Sequence, residues 1–308
     1  MKRLILLLGC LIVGLSLANS SMAQSQDRSQ SSPRIDSASV PGGLGFARQG
    51  SWLQLRSTIT NPTDQPQQLL LINSMGKTAN VQFGQSFWLP AHSRRVVDTL
   101  GYVDENERIA AKSGITFQTM LLQDAAGSGE RNWLSRQTGQ SLVDTGTSIS
   151  ILGQSHETVY DVVTAMRALV GGEKGIRSVR LDAVPNSIEG WQPLNALVVT
   201  KVPELEPLAI RSLRQWLHAG GRMWIMLDQV DETFVRQLLG DSWQVVVVDS
   251  QPVSRVVFGR TRQAGDESPE PVKLVRTIPQ GVEVLHRAGD WPVVMTMEVG
   301  KGQVVFST

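Results

Sequence analysis

The spacing of apolar residues changes once along this chain, near residue 130, and a chain with two periods must build two kinds of core. Up to that point the pattern is alternation. Ser51–Thr60 sets apolar and polar residues by turns until Asn61-Pro62-Thr63-Asp64 breaks the run, and Gln68–Asn73 starts another. Successive side chains of a strand point to opposite faces, so alternation means one face buried and one wet. Ser86–Leu89 and Arg94–Asp98 flank Pro90-Ala91-His92-Ser93, and Ile115–Gln123 leads into a glycine turn at Ala125–Gly129. Short strands at this spacing, with no helical stripe between them, predict an antiparallel β-sandwich over residues 35–129.

Residues 130–145 are polar and read as a linker, after which strand and helix patterns alternate. Ser148–Gly153 is a short apolar strand, and Ser155–Val170 carries a helical stripe of Val159, Val162, Val163, Met166, Leu169 and Val170 that Gly171-Gly172 ends. Strands at Ile176–Leu181, Ala196–Thr200 and Arg222–Leu227 follow, with helices at Pro207–Ala219 and Glu232–Leu239. Such alternation builds a parallel sheet with right-handed crossovers. Met223–Leu227 is expected to be buried on both faces, as a central parallel strand is. Trp243–Asp249 is β-rich, Thr261–Pro271 reads as a charged loop, and Val282–Arg287, Pro292–Val299 and Gln303–Phe306 form a terminal β-meander with Gly300-Lys301-Gly302 as its last turn. The expected architecture is therefore all-β followed by α/β, the second unit spanning residues 146–308. The last strand is still running at Thr308, so more protein, with a possible membrane anchor, is expected downstream.

The N-terminus predicts export. Lys2-Arg3, an apolar run Leu4–Ala18 and the small-x-small site Ser21-Met22-Ala23 have the layout of a signal peptide cleaved after Ala23. Two other readings use the same residues. Cys10 in Leu7-Leu8-Gly9-Cys10 would suit lipid attachment, although the apolar run before it is short, and the segment could be retained as an anchor. Gln24–Arg34 is Ser/Gln-rich and reads as a disordered leader. Cys10 is the only cysteine, so the mature chain has no disulfide, thiolate nucleophile or cysteine metal ligand. Stability must then come from burial, and the eight tryptophans are expected to serve that packing. Removal of residues 1–23 takes the formal charge from +1 to −1. With no basic block, nucleic-acid binding is excluded from the expected functions.

Two resemblances follow from these stretches. The break at Thr60-Asn61-Pro62-Thr63 and the turn Leu89-Pro90-Ala91-His92-Ser93-Arg94 make the first unit resemble the immunoglobulin-like accessory domains of exported bacterial proteins. In the second unit, four features together resemble the class I glutamine amidotransferase-like fold, a flavodoxin-like parallel α/β architecture. They are the strand–helix opening, the strand Asn195–Thr200, the link Trp216-Leu217-His218-Ala219-Gly220-Gly221 into Arg222–Leu227, and Val299-Gly300-Lys301-Gly302 into Phe306. The resemblance implies a Gly-x-Cys-x-Gly elbow after Arg222–Leu227, where a cysteine attacks an amide carbon. The corresponding run is Ile225-Met226-Leu227-Asp228-Gln229, with neither the cysteine nor the glycines, and His286 is followed by Arg287 and Ala288 in place of a His-x-Glu pair. The match is therefore to the non-catalytic branch found in envelope proteins.

Ligands of open α/β sheets bind outside the carboxyl ends of the strands. That geometry groups Gln154, Ser155, Thr200, Lys201, Asp228, Gln229 and Asp231 as a ligand-binding crevice, with Lys201 and Asp228 as a charge pair for a zwitterionic or sugar-like ligand. A plainer account makes Asp231 the cap of the following helix and Asp228 a solvated strand end. Leu152-Gly153-Gln154-Ser155-His156 holds the first half of a Gly-x-Ser-x-Gly elbow, which would make Ser155 a nucleophile, but Glu157 stands at the second glycine and Ser155 equally suits a helix cap. His92, His156, His218 and His286 show no metal-ligand spacing, and no cofactor is implied. Gly76-Lys77-Thr78 lacks the first glycine of a phosphate loop, because position 71 is Leu71.

Together these readings predict a non-catalytic, exported envelope protein that binds or scaffolds. Its partners would be other envelope proteins or a small polar ligand, held by the α/β crevice or the sandwich surface. The alternatives are a hydrolase using Ser155 or the Asp228/Asp231 carboxylates, and the extracytoplasmic sensor head of a longer membrane-anchored protein.

Overall fold

The computed structural model describes residues 32–39, 46–76, 82–105, 115–124, 131–143, 149–153, 160, 162–164, 176–179, 184–201, 205–256 and 266–308. The expected signal peptide, most of the leader, Gln154, Ser155 and most of the expected helix 155–170 lie outside these residues. No helix among the described residues is long and apolar enough to cross a membrane.

Alternation in the first part produces two sheets. One has β1 (Arg34–Ser39), β3 (Trp52–Asn61) and β6 (Ser93–Tyr102) in the order β1-β3-β6. The other comprises β2 (Phe46–Ala47), β4 (Gln67–Met75), β5 (Gln82–Leu89), β7 (Ile115–Asp124) and β8 (Arg131–Val143), in the order β2-β8-β7-β4-β5. Ile59 and Val97 of the first sheet pack with Leu69, Leu71, Phe87, Leu89 and Leu121 of the second. Leu53 and Leu55 meet Met75, Ile115 and Phe117 in a second cluster. A polar tie also crosses the core, where the buried Asn73 amide donates to Thr99 Oγ1 and accepts from Thr119 Oγ1 at 2.7 Å.

Residues 131–143 are not the expected linker. They form β8, antiparallel to β7 from Ile115↔Ser141 to Asp124↔Arg131. Their polarity comes from their placement, since β8 lies toward one side of its sheet and presents Trp133, Arg136 and Thr138 to solvent. The expectation that all eight tryptophans pack the core is also corrected. Trp191, Trp216 and Trp243 are buried, but Trp88 and Trp133 are 54% and 63% exposed. Both stand at outward register positions, Trp88 opposite Gln68 and Trp133 opposite Leu122.

The second part is built on a seven-stranded sheet of β9 (Ile149–Leu152), β10 (Ile176–Val179), β11 (Ala196–Val199), β12 (Arg222–Met226), β15 (Glu283–Ala288), β16 (Trp291–Val299) and β17 (Gly302–Ser307). Its order is β10-β9-β11-β12-β17-β16-β15. The pairs from β10 to β17 are parallel, while β16 and β15 continue antiparallel as a meander. The helix α1 (Pro207–His218) lays Ile210, Leu213, Trp216 and Leu217 on one face of this sheet beside Phe234, Val235 and Leu238 of α2 (Glu232–Leu239). Met223 and Ile225 of β12 are buried there, whereas Trp224 and Met226 on its other face are only half-buried, so burial on both faces is incomplete. Of the expected charged loop 261–271, residues 266–271 are strand and the rest lie outside the described residues. β13 (Val246–Val256) and β14 (Asp266–Ile278) pair as a long hairpin, tied by Arg276 to Asp249 and by the Arg276 guanidinium over the Trp291 ring at 4.9 Å.

Polar contacts join the two parts. Gln54 Oε1 accepts from the Asn186 N–H at 3.2 Å and from Ser187 Oγ at 3.3 Å. Asn186 Nδ2 donates to Asp98 at 2.9 Å, and Asp98 is held in turn by Arg56 at 2.8 Å. The Trp52 N–H donates to Gln192 Oε1 at 2.9 Å. This loop is anchored in the second core, where Trp191 Nε1 donates to Ser212 Oγ and Ser212 donates to the Pro185 carbonyl.

Candidate functional site at the carboxyl ends of the parallel strands

Register sets the floor of the expected crevice. Leu152, Val199, Ile225 and Phe306 form one row across β9, β11, β12 and β17, each wholly buried. Immediately beyond it stand Thr200 and the turn after β12, so these two candidates do emerge at one sheet edge. Gln154 and Ser155 follow β9 in sequence but fall outside the described residues.

Thr200 does not offer a free hydroxyl. Its N–H donates to the Leu152 carbonyl at 2.9 Å and its Oγ1 to the same oxygen at 3.3 Å, and the residue is fully buried. It links the ends of β11 and β9. Lys201 is exposed, and the expected Lys201–Asp228 charge pair is not what the structure shows. Asp228 Oδ2 instead accepts from Gln229 Nε2 at 2.6 Å, and the lysine that reaches this turn is Lys273 of β14, whose Nζ donates to the Asp228 carbonyl at 3.2 Å. Sequence spacing could not reveal Lys273, because the β13–β14 hairpin brings it back from far along the chain.

The turn itself is relaxed. The N–H groups of Gln229 and Val230 both donate to the Met226 carbonyl, at 3.0 and 2.9 Å, and Leu227 donates to Ser307 at 2.8 Å. Among the described residues, His92 is the only non-glycine with positive φ, so Asp228 carries none of the strain of a nucleophile elbow. Asp231 then ends the turn as the cap of α2, its Oδ1 accepting from the Thr233 N–H at 2.6 Å. Hydrogen bonds from Thr233, side chain first and backbone second, hold the Asp231 carboxyl below its ordinary range. Glu232 extends an ion pair along α2 to Arg236 at 2.7 Å. Among the described residues, no cluster of His, Cys, Asp and Glu is gathered that could hold a metal.

No protein-family model matches this chain, and no curated protein matches it in sequence. Solved structures align with about half of it. An exo-β-1,4-mannosidase from Opitutaceae bacterium strain TAV5 is 17% identical with a TM-score of 0.37, over 53% of this chain and 31% of that enzyme. The chain thus spans under a third of the mannosidase's length. A cytoplasmic protein from Salmonella typhimurium LT2 is 12% identical with a TM-score of 0.41, over 52% of this chain and 87% of its own. A ThuA-like protein from Bacteroides uniformis is 13% identical with a TM-score of 0.40, over 52% of this chain and 80% of its own.

Proposed function

We propose that this chain is an exported, non-catalytic envelope protein that binds or scaffolds. Its second unit is read as amidotransferase-like without the nucleophile, and its first as an immunoglobulin-like accessory domain. The observation that carries the reading is the turn after β12. Asp228, where the resemblance would put the nucleophile, lies on backbone without positive φ, with its carboxylate engaged by Gln229 and its carbonyl by Lys273. Asp231 is committed to capping α2. These carboxylates hold a loop in place, which is the work of a frame. The polar joint through Gln54, Asp98 and Asn186 supports the same reading, because a fixed angle between two units suits a protein that presents surfaces.

Export is tested by expressing the full chain in a Gram-negative host, fractionating the cells and sequencing the N-terminus. The expected product begins at Gln24 and lies in the periplasmic or envelope fraction. A cytosolic product that keeps Met1 would overturn the assignment.

A further inference from the structure

The outer face of the five-stranded sheet carries two exposed tryptophans. Trp133, Leu122, Leu70 and Ser86 form one register row across β8, β7, β4 and β5, and Trp88 lies two residues beyond Ser86 on the same face. Leu122 and Leu70 lie between the two positions in register, and Ile72 and Met120 extend the same aliphatic floor on the side away from Trp88, with Ile72, Met120 and Leu122 only 8%, 5% and 4% exposed. Gly84 keeps that floor low, since a Cβ there would press on Leu70 Cδ1 at 3.3 Å. Strand spacing and rise put the indoles ~16 Å apart. Gln68 and Ser86 lie beside Trp88 on this face, Arg136 lies beside the Gln118 carboxamide, and the register pair Asp124–Arg131 stands two residues beyond Leu122 and Trp133.

We infer that this face is a saccharide-binding platform for a β-1,4-linked pyranose chain. It names the ligand of the sandwich surface in the function proposed above and rests on that reading. Two indoles at these exposures offer on the order of 250 Å² of apolar surface, far below the ~800 Å² per partner of a stable protein interface. The floor adds little, because its own neighbours already cover it. What remains is two flat rings with the neutral donors and acceptors of Gln68 and Ser86 beside Trp88. A β-linked pyranose chain is complementary to that arrangement, since its axial C–H groups form an apolar face for each indole and its equatorial hydroxyls point sideways to amides and hydroxyls.

Isothermal titration of the full chain with cellohexaose and, separately, chitohexaose tests the platform and separates a plain from an N-acetylated chain. At least one is expected to bind with a Kd of ~1 mM or tighter. Trp88→Ala and Trp133→Ala should each weaken binding about tenfold, the cost of one lost stacking contact. Trp88→Phe should fall between, and Val96→Ser, exposed on the other sheet, should leave binding unchanged. Circular dichroism and melting temperature establish that each variant folds. Failure of both hexasaccharides to bind, or binding unaffected by the tryptophan substitutions, would overturn the platform. The proposed envelope function would survive that result, because it is read by fractionation and by chemical labelling.

Discussion

The backbone N–H of Lys301 donates to the carbonyl of His218 at 3.0 Å, so the β16–β17 turn closes the C-terminal end of α1. The Gln303 N–H likewise donates to the Gly221 carbonyl at 3.1 Å. The two glycine pairs noticed separately in the sequence are thus the two sides of one joint. Helix ends leave carbonyls without partners, and here a distant turn supplies the donor.

This joint predicts a difference between two left-handed glycines. Gly300 (φ 63°) and Gly240 (φ 58°) would both strain an alanine, by about 1–3 kcal/mol. Only at Gly300 would the new Cβ also meet the backbone of His218, at 2.8 Å, whereas around Gly240 the space is open. Gly300→Ala should therefore destabilise by ~2 kcal/mol more than Gly240→Ala. Equal losses in urea unfolding would show that the contact does not matter.

The buried Asn73 amide joins Thr99 and Thr119 across the sandwich core. Removing it leaves two hydroxyls without their partner and opens a cavity, so Asn73→Ala should cost ~2–4 kcal/mol. Adding Thr99→Val and Thr119→Val should recover part of that loss, because no polar group is then stranded. A triple variant less stable than Asn73→Ala would argue against the network.

Gln54 and Asn186 connect the two units through polar side-chain contacts. A Gln54→Ala/Asn186→Ala variant should keep both units folded while freeing their relative orientation. Small-angle scattering should then report a larger radius of gyration, and thermal unfolding should split into two transitions. An unchanged scattering curve would mean that other contacts fix the angle.

Asp231 makes the stability of α2 depend on pH in a defined direction. Its folded pKa lies below the ordinary value of 3.8, so the cap contributes fully above that value and is lost as pH falls through the lower, folded one. Asp231→Ala should cost ~1 kcal/mol at neutral pH and remove this contribution to the acid dependence. Hydrogen exchange of the α2 amides measures both effects. Equal protection in wild type and variant at neutral pH would rule out the capping role.

Much of the strand and helix pattern was legible because burial imposes a period, as Ile210, Leu213, Trp216 and Leu217 illustrate on α1. The break at Asn61-Pro62 and the turn at Pro90-Ala91-His92-Ser93 were legible too, but their contact was not. Asn61 Nδ2 donates to the Pro90 carbonyl at 2.9 Å, a meeting that only the register of β3 with β6 brings about. β8 was misread because a strand with one solvated face and no dense apolar run resembles a polar linker. Trp88 and Trp133 were misread because residue type speaks for burial, whereas the register of each strand decides which face a ring occupies. At the crevice, Asp231's capping role was legible from its place before an apolar stripe. Lys273's approach to Asp228 was hidden because it depends on how the β13–β14 hairpin folds back.

The proposed function requires that the second unit carry no reactive nucleophile. Treatment of the purified chain with a fluorophosphonate probe, read by intact mass and peptide mapping, tests it most directly. An unmodified mass is expected. A probe adduct on Ser155 that disappears in Ser155→Ala would contradict it.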